Sequence, residues 1–431
     1  MPPCGNGAGA GELEQVETLL RPSLLAGRLR AVGGVPSRGR LHVLDARYDP
    51  GERCTVLYEV GGSLVVATLE LCCRRDVTAA DRLLVRRFPS DPALPGLARA
   101  FDPHGLASSL GDALPGGPEW RIVRCRPTLV RYRPARSCTI RIDLIARHDG
   151  TGLFGRRTLF AKMHRDDRKA EASFRLSRDL AAAGASLEVL RVARPVAFLP
   201  AFPLSIYEEE TGAPLDRLAL AGEGGRPAVA LAGRALAEFH AVPVRHPRRR
   251  TASEELSHVR ARCAPTAAVA PRRGAAFDEA LDALDRRREQ LELDRRDVVL
   301  GHGDVKPSQF LIRARHATLL DLDHGGMADA AMDVGSFVAA LAGARVGARS
   351  GDASPTARAR CVELERTFLE GYGGNADLAG TDFGARVDWW AALALVRKAR
   401  RAAARSNRSP LPERLVKAAL ERLRAGSELA A

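Results

Sequence analysis

The period of the apolar residues changes once along this chain, and that change dictates the layout. Residues 41–71 (LHVLDARYDPGERCTVLYEV, then SLVVATLEL) and residues 121–145 (RIVRCRPTLVRYRPARSCTIRIDLI) alternate between apolar and polar side chains. Period two turns one face of a strand towards a core. The segment VARPVAFLPAFPLSIYEEE is also strand-like, and RKAEASFRLSRDLAAAGA, closed by a Gly, predicts a helix over residues 168–184. From Pro214 onward apolar residues recur at helical spacing in RPAVALAGRALAEFHAV, FDEALDALDRRREQLEL, MDVGSFVAALAGA, ARCVELERTFLEGY, VDWWAALALVRKARRAAA and PERLVKAALERLRAG. A β-rich half followed by a helical half is an α+β chain, expected to form two lobes with a cleft between them.

The β-rich half repeats itself. Residues 47–60 (RYDPGERCTVLYEV) and 131–144 (RYRPARSCTIRIDL) share Arg, Tyr, Pro, Cys and Thr at five of fourteen aligned positions. This predicts a duplicated β-hairpin, with chance similarity as the alternative. The second copy runs on into TLFAKMH, which holds Lys162, and the first into VVATLEL, with Thr68 near the same place. If one copy handles a phosphate, it is the second. Between them FPSDPALPGLARAFDPHG (88–105) is rich in Pro and Gly and reads as a connector.

Composition excludes several classes. No run of about 18 apolar residues predicts a membrane span. The start, MPPCGNGAGAGELEQ, has no basic stretch followed by an apolar one, which argues for a frayed tail rather than a signal peptide. The eight cysteines are scattered without a CxxC, so a reduced, cytoplasmic chain is expected, with neither zinc nor a disulfide framework. The net charge of +14 brings nucleic acid to mind, yet only five of the 66 basic residues are Lys. That Arg preference looks like codon bias, and runs such as Arg248–Arg250 and Arg272–Arg273 read as solvated loops. The scarce lysines include Lys162 and Lys306.

The chemistry concentrates in residues 297–333. A short apolar strand feeds a polar loop, His302-Gly303-Asp304. Gln309 follows, then a strand FLI, then ATLLDLD ending at Asp321 and Asp323. Strand–loop–strand–strand brings Asp304, Gln309 and Asp321 towards one mouth. Phosphoryl transfer needs such a set: a carboxylate for the attacking hydroxyl and oxygen ligands for Mg²⁺.

HGDVKPSQ resembles the catalytic loop of protein kinases and of the aminoglycoside and choline kinase-like phosphotransferases, whose pattern is H-[GR]-D-x-x-x-x-N. LLDLDHGGMADAAMDVGSF resembles the metal-binding segment of the aminoglycoside phosphotransferases, LAEFHAVP (236–243) their LA-x-LH helix, and YEEETGAPL (207–215) their hinge. Four separated motifs in order, over residues 120–340, imply a bilobal protein-kinase-like fold that uses ATP and Mg²⁺. The resemblance implies Asp304 as catalytic base, with Lys306 neutralising the transferring phosphate. It implies Gln309 and Asp321 as metal ligands, with Asp323 auxiliary. Lys162 would hold the α- and β-phosphates, paired with Glu171, and Glu208, Glu209 and Glu210 would offer backbone contacts to adenine. Asp333 would brace the catalytic loop. The implied division is an N-terminal β-containing extension over 1–95, a nucleotide-binding lobe over 96–206 and a helical lobe with catalytic loop and substrate site over 207–431.

Each role has a plainer alternative. His302 reads best as a packed histidine, Asp323 and Asp329 fit loop solvation, Lys162 and Glu171 fit a surface pair, and His240, Trp389 and Trp390 fit the core. Asp382-Phe383-Gly384 spells another kinase metal motif but follows no apolar strand, so it is rejected. Two departures matter. The nucleotide loop YRPARSCT has no glycine, which leaves Arg136 and Ser137 as donors, and Gln309 stands where the family has Asn. Gly303 replaces the Arg of protein kinases, and the stretch from Asp321 to Asp333 is too short to cradle a polypeptide. A small-molecule hydroxyl acceptor (a sugar, amino alcohol, aminoglycoside-like or other metabolite) is therefore expected, with no nucleic-acid or membrane partner. The alternatives are a pseudokinase scaffold whose Gln309 spoils the metal site, and an Arg-rich nucleic-acid binder.

Overall fold

The computed structural model describes residues 15–17, 19–21, 27, 41–49, 52–71, 83–111, 113–114, 119–184, 187–220, 225–347, 355–374, 378, 380–404 and 409–428. The chain divides into two units: Met1–Glu171 with Val196–Glu208 and Pro265–Pro271, and Ala172–Pro195 with Glu209–Ala264 and Arg272–Ala431.

The first unit carries two antiparallel sheets. Strands β1 (Leu41–Asp49), β2 (Arg53–Val60), β3 (Ser63–Glu70) and β4 (Leu83–Arg87) pair in chain order. Strands β5 (Trp120–Arg133), β6 (Ser137–His148) and β7 (Phe154–His164) continue into β10 (Leu204–Glu208) and β9 (Pro195–Leu199), while β8 (Leu190–Val192) belongs to the second unit. The repeat read from sequence is a repeat of structure. Tyr48 faces Cys54 as Tyr132 faces Cys138, and Arg47 faces Thr55 as Arg131 faces Thr139. One strand further, Thr55 faces Thr68 as Thr139 faces Lys162. Burial follows the same register: Cys54, Val56 and Ala67 are buried, as are Cys138, Ile140 and Ala161. The turn residues Pro50 and Gly51 of the first copy, and the pair Cys72 and Cys73, lie outside the described residues.

The connector reading of residues 88–105 needs correction. Helices α1 (Leu97–Ala100) and α2 (Pro103–Gly111) form there and bury Leu97, Ala100, Leu106 and Leu110 in the core of the first unit. Gly96 lets this segment press on Phe202, because a Cβ at Gly96 would stand 2.2 Å from that of Phe202.

The second unit is mostly helical. It holds α3 (Asp167–Ala183) from Ala172 on, then β11 (Ala213–Pro214), α4 (Leu215–Leu220), α5 (Gly225–Ala241), α6 (Ala252–Val269) as far as Ala264 and α7 (Pro271–Gln290) from Arg272 on. There follow β12 (Val299–Gly301), β13 (Phe310–Arg313), β14 (His316–Leu319), β15 (Gly326–Ala328), α8 (Ala331–Gly347), α9 (Pro355–Tyr372), α10 (Asp382–Ala403) and α11 (Leu411–Glu428). Helix α6 escaped the periodicity reading because Pro265 lies inside it. The core of the second unit is built on Phe239, Phe277, Phe337, Phe368 and Trp389. Each large apolar side chain so buried contributes about 1.5–3 kcal/mol. Trp389 also donates to the Leu284 carbonyl at 2.7 Å. Among the described residues no helix is long and apolar enough to cross a membrane.

Candidate active site

Strand β12 pairs with β15, Leu300 opposite Met327, and delivers His302, Gly303 and Asp304 at its end. The backbone turns sharply there, with Gly303 at φ 83°. Asp333, fully buried in the first turn of α8, holds this turn: it accepts from the His302 amide at 2.5 Å and the Gly303 amide at 2.7 Å. His240 of α5 adds a third bond, Nε2 to Asp333 Oδ2 at 3.2 Å, and its Nδ1 meets the Tyr372 hydroxyl at 2.8 Å. Burial alone would raise the Asp333 pKa, but the bond and charge of His240, with His302, hold it below the usual carboxylate range. The bracing role expected of Asp333 thus has a geometry, and the His of the LAEFH motif is its partner.

His302 is buried, as the packed-histidine reading expects. Its Nε2 meets the Leu320 carbonyl at 2.8 Å and its Nδ1 the Asp304 amide at 3.2 Å. The ring thereby ties Asp304 to the strand end carrying Asp321. The Asp304 side chain is 38% exposed and receives Lys306 Nζ at 2.5 Å. Burial pulls its pKa up, but Lys306 first, then His324 and His302, bring it below the ordinary value. Asp304 is therefore an ionised carboxylate at neutral pH with a face open to solvent.

Gln309 closes a short 3-10 turn, Pro307–Gln309, and is buried. Its side chain meets Asp321, Nε2 to Oδ2 at 3.3 Å, and its carbonyl accepts from the Leu320 amide at 2.9 Å. Strand β14 stops at Leu319, two residues earlier than the sequence implied, because Asp321 adopts a left-handed conformation, φ 68° and ψ 59°. A non-glycine residue there costs about 1–2 kcal/mol, and such strain gathers at functional sites. Asp323 accepts from Ser173 of α3 at 3.3 Å. Among the described residues no three His, Cys, Asp or Glu side chains form a metal cage. The carboxylate of Asp321 and the carboxamide of Gln309 still suit Mg²⁺, a hard cation usually held by one or two protein oxygens with water and substrate phosphates.

The arginine run 248–250 is not simply a solvated loop, which corrects the sequence reading. Its backbone bonds to Met327 of β15, Arg250 N to Met327 O at 2.9 Å, and Arg250 is buried. The guanidinium donates to the carbonyls of Gly303 at 3.2 Å and His324 at 3.1 Å, and pairs with Glu255 at 2.7 Å. A Cβ at Gly303 would stand 1.8 Å from Arg250 Nη1. Gly303 is needed twice over, for its positive φ and for this arginine. Sequence reasoning missed Arg250 and Glu255; the one local signal is an acid five residues along, at the start of a helix. Asp329, read as a loop solvator, instead pairs with Arg386 at 2.5 Å and accepts from Ala331 at the start of α8. The rejected Asp382-Phe383-Gly384 begins α10, and Asp382 pairs with Arg296 at 2.7 Å.

The other candidate residues lie in the first unit or at its border. Lys162 sits on β7 opposite Thr139 and Ser205, half-buried, and Glu171 lies in the second turn of α3. Arg136 closes the β5–β6 turn, its amide donating to Arg133 O at 3.1 Å, and Ser137 opens β6. Ala135 takes φ 55°, the left-handed position a type II turn normally gives to glycine. Asp91 supports it, accepting from the Ala135 amide at 2.8 Å and the Tyr132 hydroxyl at 2.8 Å. Nothing in the connector sequence pointed to Asp91. Glu208 ends β10 and pairs with Arg157 at 2.6 Å. Glu209 and Glu210 begin the next stretch of the second unit, where Glu210 accepts from the Arg194 amide at 3.4 Å.

The antiparallel sheets followed by a mostly helical part are those of a protein-kinase-like fold. A family model described as the phosphotransferase enzyme family matches residues 147–383, and the chain belongs to that family. No curated protein matches it. Among solved structures it is similar to a choline kinase from Cryptosporidium parvum Iowa II, 12% identical over 75% of this chain and 95% of that one, with a TM-score of 0.50. It is also similar to a glucosamine kinase, 18% identical over 92% of this chain and 96% of that one, TM-score 0.43. A third is a spectinomycin phosphotransferase in complex with ADP and spectinomycin, 13% identical over 72% and 94%, TM-score 0.43. At these identities the likeness concerns the fold.

Proposed function

We propose that this protein is an ATP-dependent kinase that phosphorylates a hydroxyl group of a small molecule in the cytoplasm. In this reading residues 96–206 bind the nucleotide, residues 207–431 carry the catalytic loop and acceptor site, and residues 1–95 are structural. The observation that carries it is the ionised, half-open Asp304 beside Lys306, on the loop that also positions Gln309 and Asp321. Asp304 orients the acceptor hydroxyl and takes its proton. The acceptor oxygen bonds to the γ-phosphorus, the bond to the β,γ-bridging oxygen breaks, and ADP leaves. Lys306 lies where it can meet the charge of the transferring group. Lys162, with Glu171, holds the α- and β-phosphates; Arg136 and Ser137 offer donors at the turn; Glu208, Glu209 and Glu210 line the adenine side through their backbone. Gln309 and Asp321, with Asp323 nearby, are the protein ligands for Mg²⁺. A Mg²⁺ ion held there would supply neutralisation of the phosphate charge.

Labelled ATP offered with a metabolite pool tests both activity and acceptor. Mg²⁺-dependent transfer is expected from the wild type, a strong loss from Gln309→Ala, and partial activity from Gln309→Asn. A Gln oxygen is as good a ligand as an Asn oxygen, and the added methylene costs little beyond side-chain entropy, up to about 1.5–2 kcal/mol. A silent wild type that gains transfer on Gln309→Asn would establish the pseudokinase reading instead.

A further inference from the structure

The charge around Asp304 is unusual for a site that would take a cationic amine. Arg250 links the Gly303 carbonyl to Glu255, and Glu255 Oε2 receives Arg397 of α10 at 2.8 Å. This chain of contacts sets the C-terminal half of α10 beside the catalytic loop. Arg401 lies four residues after Arg397 and three after Lys398, so the three side chains span about 100° of that helix. Asp304 lies within electrostatic reach of both Arg397 and Lys398, and Lys306 and Arg401 act on Lys398. The acids of this region are already engaged: Glu255 by two arginines, Asp304 by Lys306, Asp333 by backbone amides and His240.

Lys398 is the exception. Among the described residues its ammonium has one partner, the Ala339 carbonyl of α8 at 3.0 Å, and no carboxylate within ion-pair distance. It lies against Gly343 of α8, where a Cβ would stand 2.9 Å from Lys398 Nζ. A half-buried cation with positive neighbours and no counter-ion is a poor stability device and a good anion site. Burial pushes its pKa down to about 8, Arg401 and Lys306 push the same way, and Asp304 opposes them, so the amine remains largely charged at neutral pH.

We infer that the acceptor carries an anionic group, a carboxylate or a phosphate, beside the hydroxyl that is phosphorylated, and that Lys398 binds it. The inference rests on the phosphotransferase reading and narrows its acceptor to hydroxy acids or phosphorylated alcohols. Arg397 and Arg401 deepen the positive potential, while the solvent-open face of Asp304 is left for the hydroxyl.

Matched acceptors of one skeleton and three charges test it: gluconate, glucose and glucosamine; glycerate, glycerol and serinol; with glycerol phosphate separating phosphate from carboxylate. Transfer from ATP is measured alongside calorimetric binding in the presence of Mg²⁺ and a non-hydrolysable ATP analogue. The anionic members are expected to be preferred by about tenfold or more in kcat/KM. Lys398→Gln should raise their KM about tenfold, change kcat less than about threefold, and shrink the preference over the neutral member. Equal or better use of the neutral or cationic members by the wild type, which needs no variant to fold, overturns the inference. If no member is phosphorylated, charge-selective binding upholds the anion site and removes the phosphotransferase reading, whereas binding indifferent to charge, or none, removes the anion site.

Discussion

The sheet of β1–β4 and the sheet of β5–β7 with β10 match pair for pair: Thr68 lies opposite Leu84 as Lys162 lies opposite Ser205. Their buried positions carry the same kind of residue. Cys54 and Cys138 are both buried thiols whose pKa burial pushes up to about 12. They part at half-buried positions. In the first sheet Thr68 meets Thr55, hydroxyl to hydroxyl, at 3.3 Å. In the second, Lys162 stands opposite Thr139. The turns part as well: by alignment Gly51 of the first stands where the second has Ala135, held left-handed with Asp91 bonded to its amide. The difference teaches that alternation of buried residues builds this sheet whether or not it has chemistry to do. Under the proposed function, chemistry enters through single half-buried side chains such as Lys162 and through what braces the turn.

The comparison breaks most readily at its lysine. Lys162→Ala should weaken ATP binding about tenfold to a hundredfold, the value of a charge-assisted contact, while Thr68→Ala leaves it unchanged, both read by calorimetry. A comparable loss from Thr68→Ala would put the nucleotide on the first copy too. Next comes the brace. Asp91→Ala strands the Ala135 amide and the Tyr132 hydroxyl and should cost about 1–3 kcal/mol in urea unfolding, with a raised KM for ATP. No change would mean that the second turn holds its shape without Asp91. The smallest effect is expected from Ala135→Gly, which gives the second turn the residue of the first. Relief of the left-handed alanine outweighs the added chain entropy by up to about 1 kcal/mol, and a destabilised variant would mean that the alanine methyl packs.

These contrasts also mark what the sequence made legible. The strands, the α3 helix and the strand–loop–strand of residues 297–323 were readable because periodicity and polar punctuation are local. The equivalence of Thr68 and Lys162 was readable because the register of a hairpin follows from its turn. Asp91 was not, since its partners are 41 and 44 residues away, in a segment dominated by Pro and Gly. Arg250 was not, because its value comes from a carbonyl 53 residues on, and its arginine neighbours are exposed. Lys398 reads as one of many basic residues on a helix until α8 and the Arg250–Glu255–Arg397 chain set its surroundings.

The most direct measurement compares wild type with Asp304→Asn, following labelled phosphoryl transfer and ATP affinity in the same preparations. The substitution keeps the shape and removes the carboxylate that accepts the proton. ATP affinity close to wild type is expected, with transfer reduced by about 10²–10⁴. Undiminished transfer in Asp304→Asn would take Asp304 out of the mechanism and contradict the account.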